Sequence, residues 1–134
     1  MKINTITPMK LVLAVLAGLW ALPVNAAELI MMEQDGCVWC QRWRAELGPI
    51  YPKTEEGKRA PLRVINIFDP VPDDLSQISI DRFTPTFVLI DGGVELGRIR
   101  GYPGEELFWW VLSDLVKKLP EPAESPAGET VPKT

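Results

Sequence analysis

The chain has 134 residues, a formal net charge of −4, no histidine and two cysteines. That length suits one small domain once the two ends are set aside, and mild acidity without a basic run argues against nucleic acid as a partner. A zinc site needs about four N or S ligands, which a chain without histidine or a third cysteine does not supply alone.

The N-terminus reads as a secretory signal. Lys2 and Lys10 make a basic start, Leu11 to Leu22 is an apolar run, and Val24-Asn25-Ala26 offers small residues where a signal peptidase cuts. The run is shorter than the roughly 18–20 residues that span a bilayer, so cleavage after Ala26 is expected, with an uncleaved anchor as the alternative. Losing Lys2 and Lys10 takes the charge from −4 to −6. A signal of this bacterial type directs residues 27 onward to the periplasm, an oxidising space where a cysteine pair persists as a disulfide unless something reduces it.

The fold begins with Leu29-Ile30-Met31-Met32, an apolar run that predicts a strand. Asp35-Gly36 then predicts a tight turn, and Trp43, Leu47 and Ile50 recur at helical spacing. This order puts Cys37 at a helix N-terminus, where unpaired N–H groups and the dipole favour a thiolate. Cys40 lies one turn further on, within reach of a disulfide with Cys37. Such a dithiol can exchange with disulfides in other molecules, so the pattern points to thiol–disulfide oxidoreductase chemistry with no cofactor and no metal.

Blander readings of the same pair stay open. A structural disulfide is one, although so short a loop constrains the unfolded chain very little. A c-type haem site needs histidine after the second cysteine, where Gln41 stands. An iron–sulfur cluster or a metal bridged across a dimer would need ligands from outside the chain. Trp39 and Trp43 can offer a partner an apolar lip, although burial is the default for such residues, and Trp109 and Trp110 read as helix-packing residues.

Further along, Gly48-Pro49 and Tyr51-Pro52 interrupt the helix, and the charged stretch Lys53 to Ala60 reads as a surface loop or a frayed turn. Leu62 to Phe68 predicts a buried strand, Asp69 to Asp74 is turn chemistry, and Leu75, Ile78 and Ile80 suit a short helix after an aspartate cap. Thr86-Phe87-Val88-Leu89-Ile90 is the strongest strand of the sequence. Pro85 at its mouth cannot donate to a ladder, which a cis Thr84-Pro85 bond would explain, a trans proline opening the strand being the alternative. Asp91-Gly92-Gly93 predicts a hairpin turn into Val94 to Arg100. After Gly101-Tyr102-Pro103-Gly104, Glu105-Glu106 opens a last helix with Leu107, Phe108, Val111, Leu112, Leu115, Val116 and Leu119 as its apolar face. From Pro120 the chain is rich in proline and glutamate and predicts a disordered tail. The organisation is thus a signal over 1–26, a domain over 27–119 and a tail over 120–134.

The element order, β-α-β and then β-β-α, defines an α/β fold: a mixed four-stranded sheet with helices on both faces. With the Cys37–Cys40 pair after the first strand and Thr84-Pro85-Thr86 before a hairpin, the stretch from Ala27 to Leu119 resembles the thioredoxin superfamily. Met32-Glu33-Gln34 before Gly36-Cys37, Tyr51-Pro52-Lys53-Thr54, and Gly101-Tyr102-Pro103-Gly104-Glu105 are similar to periplasmic thioredoxin-like proteins of the SoxS type, encoded with sulfur-oxidation systems.

The resemblance implies roles. Cys37 would be the nucleophile that forms a mixed disulfide, and Cys40 the resolving thiol. Pro85 would be a cis-proline facing the pair, while the Thr84 backbone pairs with an extended substrate segment. Trp39 would border the substrate. The implied protein is a monomeric periplasmic reductase of protein disulfides, of which a sulfur-carrier protein is one candidate, fed by a membrane electron donor. Oxidase or isomerase activity, a non-enzymatic binding module and a soft-metal chaperone are the alternatives. Three positions depart from thioredoxins proper: Val38-Trp39 between the cysteines in place of Gly-Pro, Gly36 in place of tryptophan, and Met31 where a buried aspartate serves the second cysteine. Glu33 and Glu28 are the nearest carboxylates to that position, Glu33 being the candidate proton acceptor.

Overall fold

The computed structural model describes residues 26–122. The signal and most of the tail expected from the sequence, residues 1–25 and 123–134, lie outside the described residues. Strand β1 (Glu28–Glu33) leads into helix α1 (Val38–Glu46), a 3-10 turn at Tyr51–Lys53 and helix α2 (Glu55–Arg59). Strand β2 (Leu62–Asn66), a 3-10 turn at Asp73–Leu75, strands β3 (Thr86–Asp91) and β4 (Val94–Arg100), and helix α3 (Glu105–Val116) complete the order.

The sheet has four strands in the order β2-β1-β3-β4, with β1 parallel to β2 and antiparallel to β3. This is the mixed sheet expected from the sequence. Both central strands are nearly all apolar because both of their faces are covered: Leu29, Met31, Phe87 and Leu89 point to one side, and Ile30, Met32, Val88 and Ile90 to the other. The first side carries Cys40 and Trp43 of α1 together with Phe108, Leu112 and Leu115 of α3. Trp43, Phe87 and Phe108 form its aromatic centre, with ring centroids 4.9 to 5.7 Å apart.

The second side differs from the expectation of helices on both faces. Leu75 and Ile78, from the segment around the Asp73–Leu75 turn, bury the sheet there, and no α-helix contributes to that cluster among the described residues. Pro70 and Pro72 deny this segment a continuous helix, so it covers the sheet by placing single apolar side chains. The expected short helix after an aspartate cap is therefore a single 3-10 turn with Pro72 at its N-cap and no side-chain cap.

Three further expectations are corrected. Leu62–Asn66 is half-buried along its length, because β2 is an edge strand. Lys53 to Ala60 is not a loop but holds α2: Thr54 Oγ1 accepts the Gly57 N–H at 3.0 Å, with Glu55 and Glu56 in the first turn and Lys58 and Arg59 in the last. A helix of five residues does not stand alone, and tertiary bonds hold this one: Tyr51 Oη donates to the Ala60 carbonyl at 2.6 Å and Ser113 Oγ to Glu56 at 2.7 Å. On α3, Leu107 and Trp110 face solvent, 48% and 71% exposed, and only Trp109 packs, stacked against Tyr51.

Two glycine sites shape the sheet edge near α3. Gly92 and Gly93, with φ of 57° and 78°, make the two-residue hairpin turn. Gly97 lets α3 approach β4, since a Cβ there would stand 2.5 Å from Leu115 Cδ2.

Candidate active site

The β1–α1 turn delivers Cys37 to the start of a helix for local reasons. Gly36 takes φ of 72°, and the Cys37 N–H donates to the Gln34 carbonyl at 3.3 Å. Cys37 is then the N-cap residue of α1, with extended backbone, and its Sγ accepts the Cys40 N–H at 3.1 Å. One turn on, Cys40 faces back, and the two are joined as a disulfide with Cα atoms 5.3 Å apart. Burial separates the two sulfur-bearing residues: Cys37 is 9% exposed and Cys40 2%. Beside them Val38 and Trp39 stand out from the surface, 70% and 52% exposed, because α1 turns its buried face through Cys40 and Trp43. Trp43 is therefore wholly buried and is not part of any lip, whereas Trp39 is exposed, against the default of burial.

The second loop of the site precedes β3. The Thr84–Pro85 bond is cis. Register places this loop next to the cysteines: Thr86 pairs with Met32, two residues before Gln34. The Gln34 side-chain amide crosses the gap and donates to Thr84 Oγ1 at 2.8 Å. Around Thr84 the backbone groups are taken. The Phe83 N–H donates to Asp81 Oδ1 at 3.0 Å, the Phe83 carbonyl accepts the Thr86 hydroxyl at 2.6 Å, and the Pro85 carbonyl accepts the Gly101 N–H at 2.7 Å. Among the described residues, no hydrogen bond engages the Thr84 backbone itself. Unpaired N–H and C=O groups of this kind can pair with an added extended segment.

Between the two loops runs an open groove of about 230 Å³ that Trp39, Phe83, Thr84, Arg100, Tyr102 and Pro103 border. Phe83 is 55% exposed, with the Arg100 guanidinium 5.3 Å from its ring centroid. Sequence reasoning gave no role to Phe83 or to Gln34, the latter entering only as part of the stretch Met32-Glu33-Gln34. The available signal for Phe83 was a large aromatic in a polar loop directly before Thr84-Pro85; for Gln34 there was none, because its partner lies 50 residues away.

Charge around the site is paired. Tyr102 Oη donates to Glu46 at 2.6 Å and Arg42 Nε donates to the same carboxylate at 2.8 Å, which holds the Glu46 carboxyl below its usual range. Burial, and then that bond, push the Tyr102 phenol up. Glu33 borders a second, polar cavity of about 210 Å³ together with Cys37, Cys40 and Arg44, and Arg44 is its ion-pair partner. Glu28 sits at the opposite end of β1, 3.5 Å from Arg63, and is remote from the cysteines. Met31 is buried in the sheet. Among the described residues no three His, Cys, Asp or Glu side chains gather in a metal-ligating group.

A mixed sheet, a disulfide at a helix start and a cis X-Pro loop beside it together define a thioredoxin-fold thiol–disulfide oxidoreductase. The solved structure of the periplasmic thioredoxin SoxS from Paracoccus pantotrophus, in its reduced form, is 47% identical over 68% of this chain and 96% of that one, with a TM-score of 0.63. The chain belongs to the thioredoxin superfamily, alongside that protein. A thioredoxin-fold protein from Helicobacter pylori (22% identity, 70% of this chain and 71% of that one, TM-score 0.55) shares the fold. So does a thioredoxin from Malassezia sympodialis (17% identity, 69% of this chain and 80% of that one, TM-score 0.51). No protein-family model and no curated protein sequence matches the chain.

Proposed function

We propose that the protein is a periplasmic reductase of disulfides in polypeptide partners, with Cys37 as nucleophile and Cys40 as resolving thiol. The observation that carries this reading is the asymmetry of the pair: Cys37 is the more exposed residue and its sulfur accepts an N–H bond at the helix start, while Cys40 is buried behind it. The Cys37 thiolate attacks one sulfur of the substrate disulfide, that S–S bond breaks, and the departing thiolate takes up a proton. Cys40 then loses its proton and attacks Cys37 Sγ, closing the Cys37–Cys40 disulfide and releasing the second substrate thiolate, which is protonated in turn. Two electrons and two protons pass to the substrate, and a membrane-bound dithiol donor restores the reduced pair.

Thr84, Pro85 and Trp39 bind the substrate in this reading, Thr84 through its free backbone groups. Location in the periplasm rests on the signal read over 1–26 and on the name of the Paracoccus relative, whereas a sulfur-carrier protein as the disulfide substrate rests on the resemblance of Met32-Glu33-Gln34, Tyr51-Pro52-Lys53-Thr54 and Gly101-Tyr102-Pro103-Gly104-Glu105 to SoxS-type proteins. The protein acts as a monomer. Replacement Cys40→Ser tests the assignment: expressed in its bacterial host, the variant should accumulate a Cys37-linked adduct, visible on a non-reducing gel and lost on reduction. No adduct, with a large loss of thermal stability instead, would favour a structural disulfide. Equilibration with a glutathione buffer tests direction, a reductase lying nearer about −270 mV than the roughly −120 mV of strong thiol oxidants.

A further inference from the structure

We propose that Gln34 is a positioning residue that sets the register between the disulfide and the substrate-pairing backbone of Thr84, and so tunes the enzyme toward polypeptide disulfides over small ones. The proposal rests on the reading that the substrate is a polypeptide. Two features of Gln34 bring it to this task. Its carbonyl accepts the Cys37 N–H at 3.3 Å, which makes it part of the turn that presents the attacking sulfur. Its side-chain amide donates to Thr84 Oγ1 at 2.8 Å, which ties that same turn to the loop before β3, 50 residues away. One residue thus holds both halves of the site.

The Thr84 loop is also tied to β1 at its two ends, where the Asp81 N–H donates to Met32 Sδ at 3.3 Å and Thr86 pairs with Met32. Asp81, 14% exposed, accepts from the Phe83 N–H at 3.0 Å and from Arg100 Nη2 at 3.2 Å, and Gly101 of the β4 end bonds the Pro85 carbonyl at 2.7 Å. These contacts fix the ends of the loop to β1 and its far side to β4, and none of them reaches Thr84 itself. Among the side-chain hydrogen bonds of the described residues, Gln34 to Thr84 is the one that spans the gap between Thr84 and the turn that carries Cys37. An extended polypeptide has to satisfy two demands at once, a backbone pairing at Thr84 and a sulfur in line with Cys37. It therefore senses the gap, whereas a small disulfide meets only the sulfur. Loss of one such bond between neutral groups corresponds to roughly a fivefold effect on the register-dependent step.

The test reacts protein, reduced beforehand with dithiothreitol and then desalted, with two probes, insulin as a polypeptide disulfide and 5,5′-dithiobis(2-nitrobenzoate) as a small one, each reduced by one equivalent of the Cys37–Cys40 dithiol. In Gln34→Ala the ratio of the second-order rate constant for insulin to that for the small disulfide should fall about fivefold, with the loss on the insulin side. Thr84→Val, which removes the acceptor at nearly constant volume, should lower the same ratio, and the double variant should fall no further than the lower single. Equal losses on both probes, an unchanged ratio, or additive effects in the double variant would overturn the proposal, and thermal melts of all three variants confirm that folded protein is compared. If the unaltered protein reduces the small disulfide but not insulin, the polypeptide reading itself is refuted and this inference with it. If it reduces both and Gln34→Ala leaves their ratio intact, only the inference falls.

Discussion

Asp81 gives the sharpest check on how the loop before β3 is held. Its side chain is 14% exposed; Oδ1 accepts the Phe83 N–H at 3.0 Å, Oδ2 lies 2.7 Å from Arg100 Nε, and Arg98 Nη1 stands 3.7 Å away. Asp81→Asn keeps the oxygen that serves Phe83 and removes the charge that serves the two arginines. Arg100 is 60% exposed, so solvent screens its share to about 0.5 kcal/mol, and the long contact to Arg98 adds a similar amount. The expected cost is about 1 kcal/mol, or a fall in Tm of roughly 4–8 °C for a domain of this size. Asp81→Ala also gives up the bond to the solvent-accessible Phe83 N–H and should cost about 1.5 kcal/mol. The Phe83 N–H, and after it Arg100, hold the Asp81 carboxyl below its ordinary range. A lowered folded-state pKa stabilises the protein above the unfolded-state pKa, and the contribution is lost as pH falls through the folded value. The gap in Tm between wild type and Asp81→Asn should therefore be full at pH 7 and close as the pH drops below the ordinary aspartate range. Thermal unfolding followed by circular dichroism from pH 7 to pH 3 measures it. A gap that is absent at pH 7, or that persists unchanged at the acid end, refutes the reasoning.

Two other outcomes follow from single positions. Gly57→Ala should destabilise although it lies in a helix, because the new Cβ would stand 1.9 Å from the Tyr51 carbonyl oxygen. The roughly 1 kcal/mol of helix propensity gained is outweighed by a backbone displacement costing about 2–3 kcal/mol, and a raised Tm would contradict this. In the reduced protein, Cys37 should alkylate faster than Cys40, by mass mapping after brief iodoacetamide treatment, since it is the residue at the helix start and the more exposed one. Equal, slow modification of both thiols would remove Cys37 from the nucleophile's role.

What the amino-acid sequence determined by itself is what short-range physics controls. The i, i+3 spacing of Cys37 and Cys40 behind a Gly36 turn needs only one helical turn to become a disulfide at a helix start. Asp91-Gly92-Gly93 makes a hairpin because glycine takes the two positive φ angles without steric cost, and the apolar runs of β1 and β3 read as strands. Tertiary structure decided the rest, because exposure depends on what arrives from elsewhere in the chain. Trp39 and Trp43 are the same residue type one turn apart, yet one is half exposed and the other lies against Phe87 and Phe108. β2 is rich in β-branched residues like a central strand but lies at the edge, since the order β2-β1-β3-β4 leaves one of its sides without a partner strand. Helix α2 is too short to persist on local propensity and exists through Tyr51 and Ser113. Gln34 and Thr84 meet only because β1 and β3 pair antiparallel with Met32 opposite Thr86, a register set by burial of both sheet faces and invisible to any local window of sequence.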